Sequence, residues 1–412
     1  MRKIGLFIFV LLTFQTVYAQ RKKKAVFIIV DGISADVIDS LPTPNIDEIA
    51  KEGAFLKAFQ GGEKGSYSES PTISAVGYNN VLTGTWYNKH NVPDNAIKNP
   101  NYSYWTIFRF LEEQYPEKKT AIFSSWQDNR TKLVGEGLAE TGNIKLDYHF
   151  DGLELDTLKY PHDKQRDFMS RIDQDVTNEA ARYIKENGPD LSWVYLEHTD
   201  DMGHMYGDSE KFYDAVKKAD ERIGQIWEAL KLREKQLNED WMIIVTTDHG
   251  RDEETGKHHG GQSDRERSSW IATNAGSLNE YARNAVGISV VDILPTIARF
   301  MDISIPGTRL RELDGTPLVG DISVVVPKAK IDGNKLRISW KAFDKRGKVK
   351  ILLSKTNEFK NGGKDDVYDT LAVLPAAEQQ YELDLAKLKP STFYKVVIEG
   401  EHNSLNRWIV KK

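Results

Sequence analysis

Through its first three quarters the chain alternates continuous apolar runs with amphipathic stretches. Lys24–Val30 (KAVFIIV) is apolar along its length and stops at Asp31-Gly32. That is how a parallel strand covered on both faces reads, with a polar group on its C-terminal loop. Thr43-Pro44 then opens a helix with an N-cap residue and a proline at the first helical position. Gly53 closes it, and Ile46, Ile49 and Ala50 form its apolar stripe. The alternation repeats with strands expected at 119–124, 191–196 and 241–246, and helices at 176–186 and 212–230. It predicts an α/β fold, an α/β/α sandwich. Such sheets bind ligands beyond the carboxyl ends of their strands, where Asp31, Asp200 and Asp248 each fall. After about Val319 the helical period ends. Short alternating runs at 335–340, 348–353, 381–385, 394–399 and 407–410 predict a small all-β sandwich beginning near Val324.

A chain of 412 residues is long for a single core, so two domains are expected after a leader. Arg2 and Lys3, an apolar stretch over Ile4–Val17 and Val17-Tyr18-Ala19 read as a signal peptide over residues 1–19, cut before Gln20. The run is short for a bilayer span and is broken by Thr13, Gln15 and Thr16, so no transmembrane anchor is expected after cleavage. The protein is therefore expected in the periplasm or outside the cell. With no cysteine there is neither a disulfide nor a lipid attachment site. The formal net charge of −5 becomes −7 when Arg2 and Lys3 leave, which argues against a nucleic-acid surface. The cluster Arg21-Lys22-Lys23-Lys24 is expected as a solvated start of the mature chain.

Five segments carry metal-ligating or nucleophilic groups: Asp31-Gly32, Ser70–Ala75, Glu197–Gly207 (EHTDDMGHMYG), Asp248-His249-Gly250 and His258–Gly261. Asp200 and His204 are four apart and share a helix face, with Asp201 as the competing carboxylate. Asp248 and His249 follow the most apolar strand, in a turn that Gly250 keeps tight. Of His258 and His259, the second precedes two glycines that leave room around it. Ser74, with Thr72 as competitor, opens a helix-like stretch that closes at Thr83-Gly84. A hydroxyl there is either a plain N-cap or a nucleophile beside a cation.

This ordered set, with Thr43–Asp47, Gly53-Ala54, Thr83-Gly84, Thr247–Gly250, His259–Gly261 and Asp314–Leu318, resembles the alkaline phosphatase superfamily. Glu197–Gly207 is similar to the acidic–Gly–His stretch of its nucleotide pyrophosphatase/phosphodiesterase branch. The likeness spans residues 24–318. It implies an alkaline phosphatase-like metal-dependent catalytic domain over residues 20–322 and a phosphoester hydrolase working through a phosphoserine. It also implies two divalent ions, expected to be zinc because the donors mix carboxylate and imidazole. By the same resemblance, Asp31, Ser74, Asp248 and His249 hold the first ion, Asp200, His204 and His259 the second, and Asn95 a phosphoryl oxygen. Two departures are visible. The branch usually has threonine as nucleophile, and the interval from His249 to His259 is short for it.

Trp126 and Arg130, in a post-strand SWQDNR segment with Gln127 and Asp128, are expected to line the substrate side, with Arg251, Arg265 and Arg267 as further cationic candidates. Sulfatase chemistry is disfavoured, since no Cys or Ser occupies a C/S-x-P-x-R context, and cytosolic mutases are disfavoured by the leader. A small-molecule phosphodiester is the favoured substrate. A phosphomonoesterase, a phosphoethanolamine-type transferase and a non-catalytic surface protein with a structural metal are the alternatives. Residues 323–412 (notably Leu388–Ile398) resemble a fibronectin type III module, a surface for a glycan or protein partner.

Overall fold

The computed structural model describes residues 21–410, so the leader expected over residues 1–19 lies outside the described residues. A seven-stranded sheet organises the first three quarters of the chain: β1 (Lys22–Val30), β2 (Ala54–Phe59), β3 (Thr120–Ser124), β4 (Tyr148–Phe150), β5 (Leu191–Leu196), β6 (Glu239–Thr246) and β7 (Ser268–Thr273). Their order is β2-β7-β6-β1-β5-β3-β4. β1 runs parallel to β5 on one side and β6 on the other, while β7 and β2 close one edge antiparallel. The apolar runs predicted from the sequence thus become the central strands, buried along nearly their whole length.

Alternate residues of β1 feed opposite cores, as a pleat requires. Phe27 and Ile29 join Trp193, Ile244 and the helix Ser74–Thr83 on one face. Val26, Ile28 and Val30 join the long helices Asp167–Asn187 and Glu210–Gln236 on the other. The structure is the alkaline phosphatase-like α/β sandwich expected from the alternation. The basic cluster over residues 21–24 departs from expectation, because β1 begins at Lys22 and Lys24 is buried. Its ammonium donates to the Gly188 carbonyl and to Asp190 (3.0 Å), so this part of the basic cluster is packed rather than solvated.

Beyond residue 323 lie seven further strands: β8 (Val324–Asp332), β9 (Lys335–Ala342), β10 (Lys348–Ser354), β11 (Asp369–Pro375), β12 (Gln380–Asp384), β13 (Phe393–Glu399) and β14 (Ser404–Val410). They form antiparallel sheets of order β11-β10-β13-β14 and β12-β9-β8 around a third apolar cluster. The expectation that no helix interrupts them is corrected by a short helix, Glu358–Gly362, which buries Phe359. Among the described residues no helix is long and apolar enough to cross a membrane.

Candidate functional site

Three adjacent strands end side by side, and their C-terminal turns build the site. Asp31 follows β1, the helix His198–Tyr206 follows β5 with Asp200 and His204, and Asp248-His249 follows β6. Gly32 adopts φ +69° and donates its amide to Asp248 Oδ1 at 3.1 Å, locking the first turn to the third. The loop after β6 returns His259, whose Nδ1 bonds the Thr72 carbonyl at 2.8 Å. A carbonyl only accepts, so this nitrogen carries the proton and Nε2 is the nitrogen left to ligate a cation. His249 is set the same way, with Nδ1 on the Gly250 carbonyl at 2.9 Å.

These groups converge. His249 Nε2 stands 3.3 Å from Asp31 Oδ1, 3.3 Å from Asp248 Oδ2 and 3.4 Å from Ser74 Oγ. His204 Nε2 lies 3.2 Å from Asp200 Oδ2 and 3.1 Å from His259 Nε2. Two candidate cation clusters result, Asp31-Asp200-His249 and Asp200-His204-His259, with ligand atoms within 4.8 Å of one another in each. Asp31 Oδ1 and Asp248 Oδ2 are buried without a hydrogen-bond donor. Orphaned carboxylate oxygens gathered around imidazole Nε2 atoms suit a divalent cation far better than an apolar core. The donor set fits the implied metals.

Electrostatics point the same way. Burial lowers the His249 pKa, but the Asp248 and Asp31 carboxylates outweigh it and leave the imidazole at about 9. Burial also drives Asp248 well above the carboxylate range, and the Asp31 charge adds to the push. A field that favours a proton at this spot equally favours a metal ion. Burial and the neighbouring His249 pull His259 down to about 4, keeping it neutral and able to ligate.

Ser74 is the first residue of its helix, and Ile73 occupies the N-cap position. The plain capping role therefore falls away, because the hydroxyl turns to His249 instead. Thr72 is a brace, donating to the Gly261 carbonyl and accepting from the Gly260 amide, both at 2.9 Å. Asp201 turns away to Arg166, and His258, unlike His259, falls in neither cluster. Asn95 Oδ1 accepts the Ala75 amide at 2.9 Å, leaving Nδ2 as its free donor. Asn95 lines a cavity of about 350 Å³ together with Ser74, Asp31, Asp200 and Trp126. Arg130 does not line this cavity. Its guanidinium is committed to Asp151 and Glu136, so the substrate contact expected of it is replaced by a structural one.

Arg265 and Arg267 likewise brace loops, through Asp208 and Asp36 and through Gln262 and Gly62. Arg251 is fully buried beneath the site. It donates to the Gly32 carbonyl at 2.9 Å, to the Asp200 carbonyl at 2.8 Å and to the Asp200 carboxylate. A Cβ on Gly203 would lie 2.1 Å from its Cζ, so that glycine makes room for the guanidinium.

Sequence reasoning missed the groups that hold Asp31. Tyr195 donates to Asp31 Oδ2 at 2.7 Å, and Tyr78 donates to the same oxygen. Arg166 was also missed. It lines the cavity at φ +61°, with its guanidinium on Asp201 and Glu197. Tyr78 had one available signal, since it lies one helical turn from Ser74 on the same face.

Residues 25–288 match the model of the type I phosphodiesterase/nucleotide pyrophosphatase family. The chain belongs to this family. Ectonucleotide pyrophosphatase/phosphodiesterase family member 7 of Mus musculus is 22% identical over 247 residues, which is 56% of this chain and 50% of that protein. Venom phosphodiesterase CdcPDE of Crotalus durissus collilineatus is 24% identical over 239 residues, 54% of this chain and 26% of that one. The chain thus spans half or less of the length of these two relatives. Among solved structures, the putative sulfatase yidJ from Bacteroides fragilis superposes with a TM-score of 0.52 at 15% identity, covering 80% of this chain and 86% of its own. At that identity the likeness is one of fold.

Proposed function

We propose that the chain is an exported phosphodiesterase that cleaves a small-molecule phosphoester through a phosphoserine at Ser74. The observation that carries this reading is the placement of Ser74 Oγ 3.4 Å from His249 Nε2, at the head of a buried helix, amid six further candidate ligand residues. In this reading Asp31, Ser74, Asp248 and His249 hold one divalent ion, and Asp200, His204 and His259 hold a second. Mixed oxygen and imidazole donors favour zinc for both. When bound, such ions lower the pKa of a coordinated hydroxyl and neutralise charge on phosphoryl oxygens.

The protein's own groups do the positioning. The helix N-terminus at Ser74 favours the serine oxygen as an anion and as attacking group. Asn95 Nδ2 and the nearby amides donate to a non-bridging oxygen. Tyr78 and Tyr195 hold Asp31 by Oδ2 and leave its Oδ1 toward His249. Arg251 fixes the Asp200 carboxylate from below. Trp126 supplies an apolar wall for the ester substituent.

The cavity wall favours a diester over a monoester. Its one guanidinium, Arg166, is already met by Asp201 and Glu197, and Glu154 also faces the space. A second phosphoryl charge would find no free side-chain cation on this wall. The names of the relatives, an ectoenzyme and a venom enzyme, accord with export of this chain after removal of residues 1–19. The domain division at about residue 322, and a fibronectin type III-like role for the C-terminal sheets as a surface for glycan or protein, belong to the same proposal.

The test compares bis-p-nitrophenyl phosphate with p-nitrophenyl phosphate on zinc-loaded protein. The diester is expected to turn over faster, and Ser74→Ala to lower turnover by at least about 10³-fold while retaining bound zinc. Undiminished turnover by that variant would contradict the proposal.

A further inference from the structure

Away from the candidate active site, two turns of the C-terminal sheets bring Asp344, Glu401 and His402 together. Asp344 lies between β9 and β10, and Glu401 and His402 lie between β13 and β14, with candidate ligand atoms within 4.8 Å of one another. We propose that these three residues bind a separate zinc-class divalent ion that staples the two turns to the start of the C-terminal sheets. The proposal does not depend on the function assigned to Ser74.

The backbone under the cluster is built. Ser323 accepts the Asp344 amide through its carbonyl at 3.2 Å and the His402 amide through its hydroxyl at 3.1 Å, so one residue anchors both turns. Asp344 Oδ1 accepts the amides of Arg346 and Gly347, each at 3.0 Å, which fixes the carboxylate and leaves Oδ2 as the outward oxygen. The His402 carbonyl is held by Arg299 on the helix Ile293–Phe300.

Charge and space supply independent support. Among the described residues neither Asp344 nor Glu401 has an Arg or Lys ion-pair partner, although Arg283 and Arg346 line the same cavity. Two carboxylates beside an imidazole without a paired cation repel one another, and a divalent ion removes that repulsion. The adjoining cavity of about 590 Å³, lined also by Glu280 and Asp321, leaves an open position for water as fourth ligand. Bonds of about 2.0–2.2 Å require the three ligand atoms to close inward, which the exposed Glu401 side chain does by rotation. The solvated-turn reading accounts for the exposure of Glu401 but not for the convergence of three ligating groups from separate turns. It also leaves unexplained the anchoring of both turns on one serine.

Full-length protein is loaded with zinc, dialysed and measured for metal content and melting temperature alongside three variants. His402→Ala and Glu401→Gln are each expected to lose one zinc equivalent relative to the parent and to blunt the rise in melting temperature on zinc addition. His149→Ala, an exposed histidine outside all three clusters, is expected to keep both the zinc content and the melting response of the parent. The readout is a difference, so it stands whatever number of ions the Ser74 centre takes. Zinc content and zinc-dependent melting equal to the parent in both His402→Ala and Glu401→Gln overturn the site. Should His402→Ala fail to give a native circular dichroism spectrum, Glu401→Gln alone decides.

Discussion

His90 is fully buried just past the helix Ser74–Thr83, and both of its ring nitrogens are used in the neutral form. Nδ1 accepts the Val92 amide at 3.2 Å and Nε2 donates to Asn80 Oδ1 at 2.8 Å. Burial pulls its pKa from 6.5 down to about 3. Below pH 6.5 the unfolded chain takes up a proton at this position and the native protein does not. Stability from this group is therefore complete above pH 6.5 and is lost as pH falls toward 3. Urea midpoints at pH 7 and pH 4.5 are expected to differ less in His90→Gln than in the parent, and an unchanged difference would refute the assignment. At this scale the ligand candidates were legible, because acidic and imidazole groups follow apolar runs at turn positions. Their supports were not. Tyr78 and Tyr195 sit in apolar helix and strand sequence, where a phenol reads as core, and the Arg251 side chain gives no local sign that it runs beneath Gly203.

The helix Ser74–Thr83 meets the turn after β6 through a glycine. A Cβ on Gly77 would lie 2.7 Å from both the Asp248 Cβ and its carbonyl oxygen. Gly77→Ala must push this helix off the Asp248 turn, with overpacking of about 1–3 kcal/mol. A drop in zinc affinity alongside lowered thermal stability is the expected result. Wild-type zinc binding by this variant would show that the helix is free to move. Among the elements, the central strands were legible because burial on both faces leaves a continuous apolar run. β2 (AFLKAF) and β7 (SSWIAT) were missed. β2 is a half-exposed edge strand with a polar residue in its middle, and β7 opens on two serines. The helix expected at 176–186 in fact covers Asp167–Asn187, since Phe168, Met169 and Ile172 extend its buried face.

At the scale of the molecule, two lysines with no exposed side-chain surface join the α/β region to the C-terminal sheets. Lys89 reaches Asp314 at 2.7 Å and Asn406 of β14 at 2.9 Å. Lys395 of β13 reaches Glu312 at 2.6 Å and Asp366 at 2.7 Å. The change of pattern near Val324 was legible in the sequence; this junction was not, because a lone lysine in a strand reads as surface. Lys395→Met leaves two carboxylates buried without their cation, and a loss of about 3–5 kcal/mol is expected in denaturant unfolding. A loss below about 1 kcal/mol would show that the network is dispensable. In the proposed reaction Ser74 is the group that receives the phosphoryl moiety. The most direct test is acid quenching of the zinc-loaded protein during turnover of bis-p-nitrophenyl phosphate, followed by peptide mass mapping. The phosphoester side group left by p-nitrophenol loss is expected on Ser74; its appearance on Thr72, or on no residue while turnover proceeds, would contradict the account.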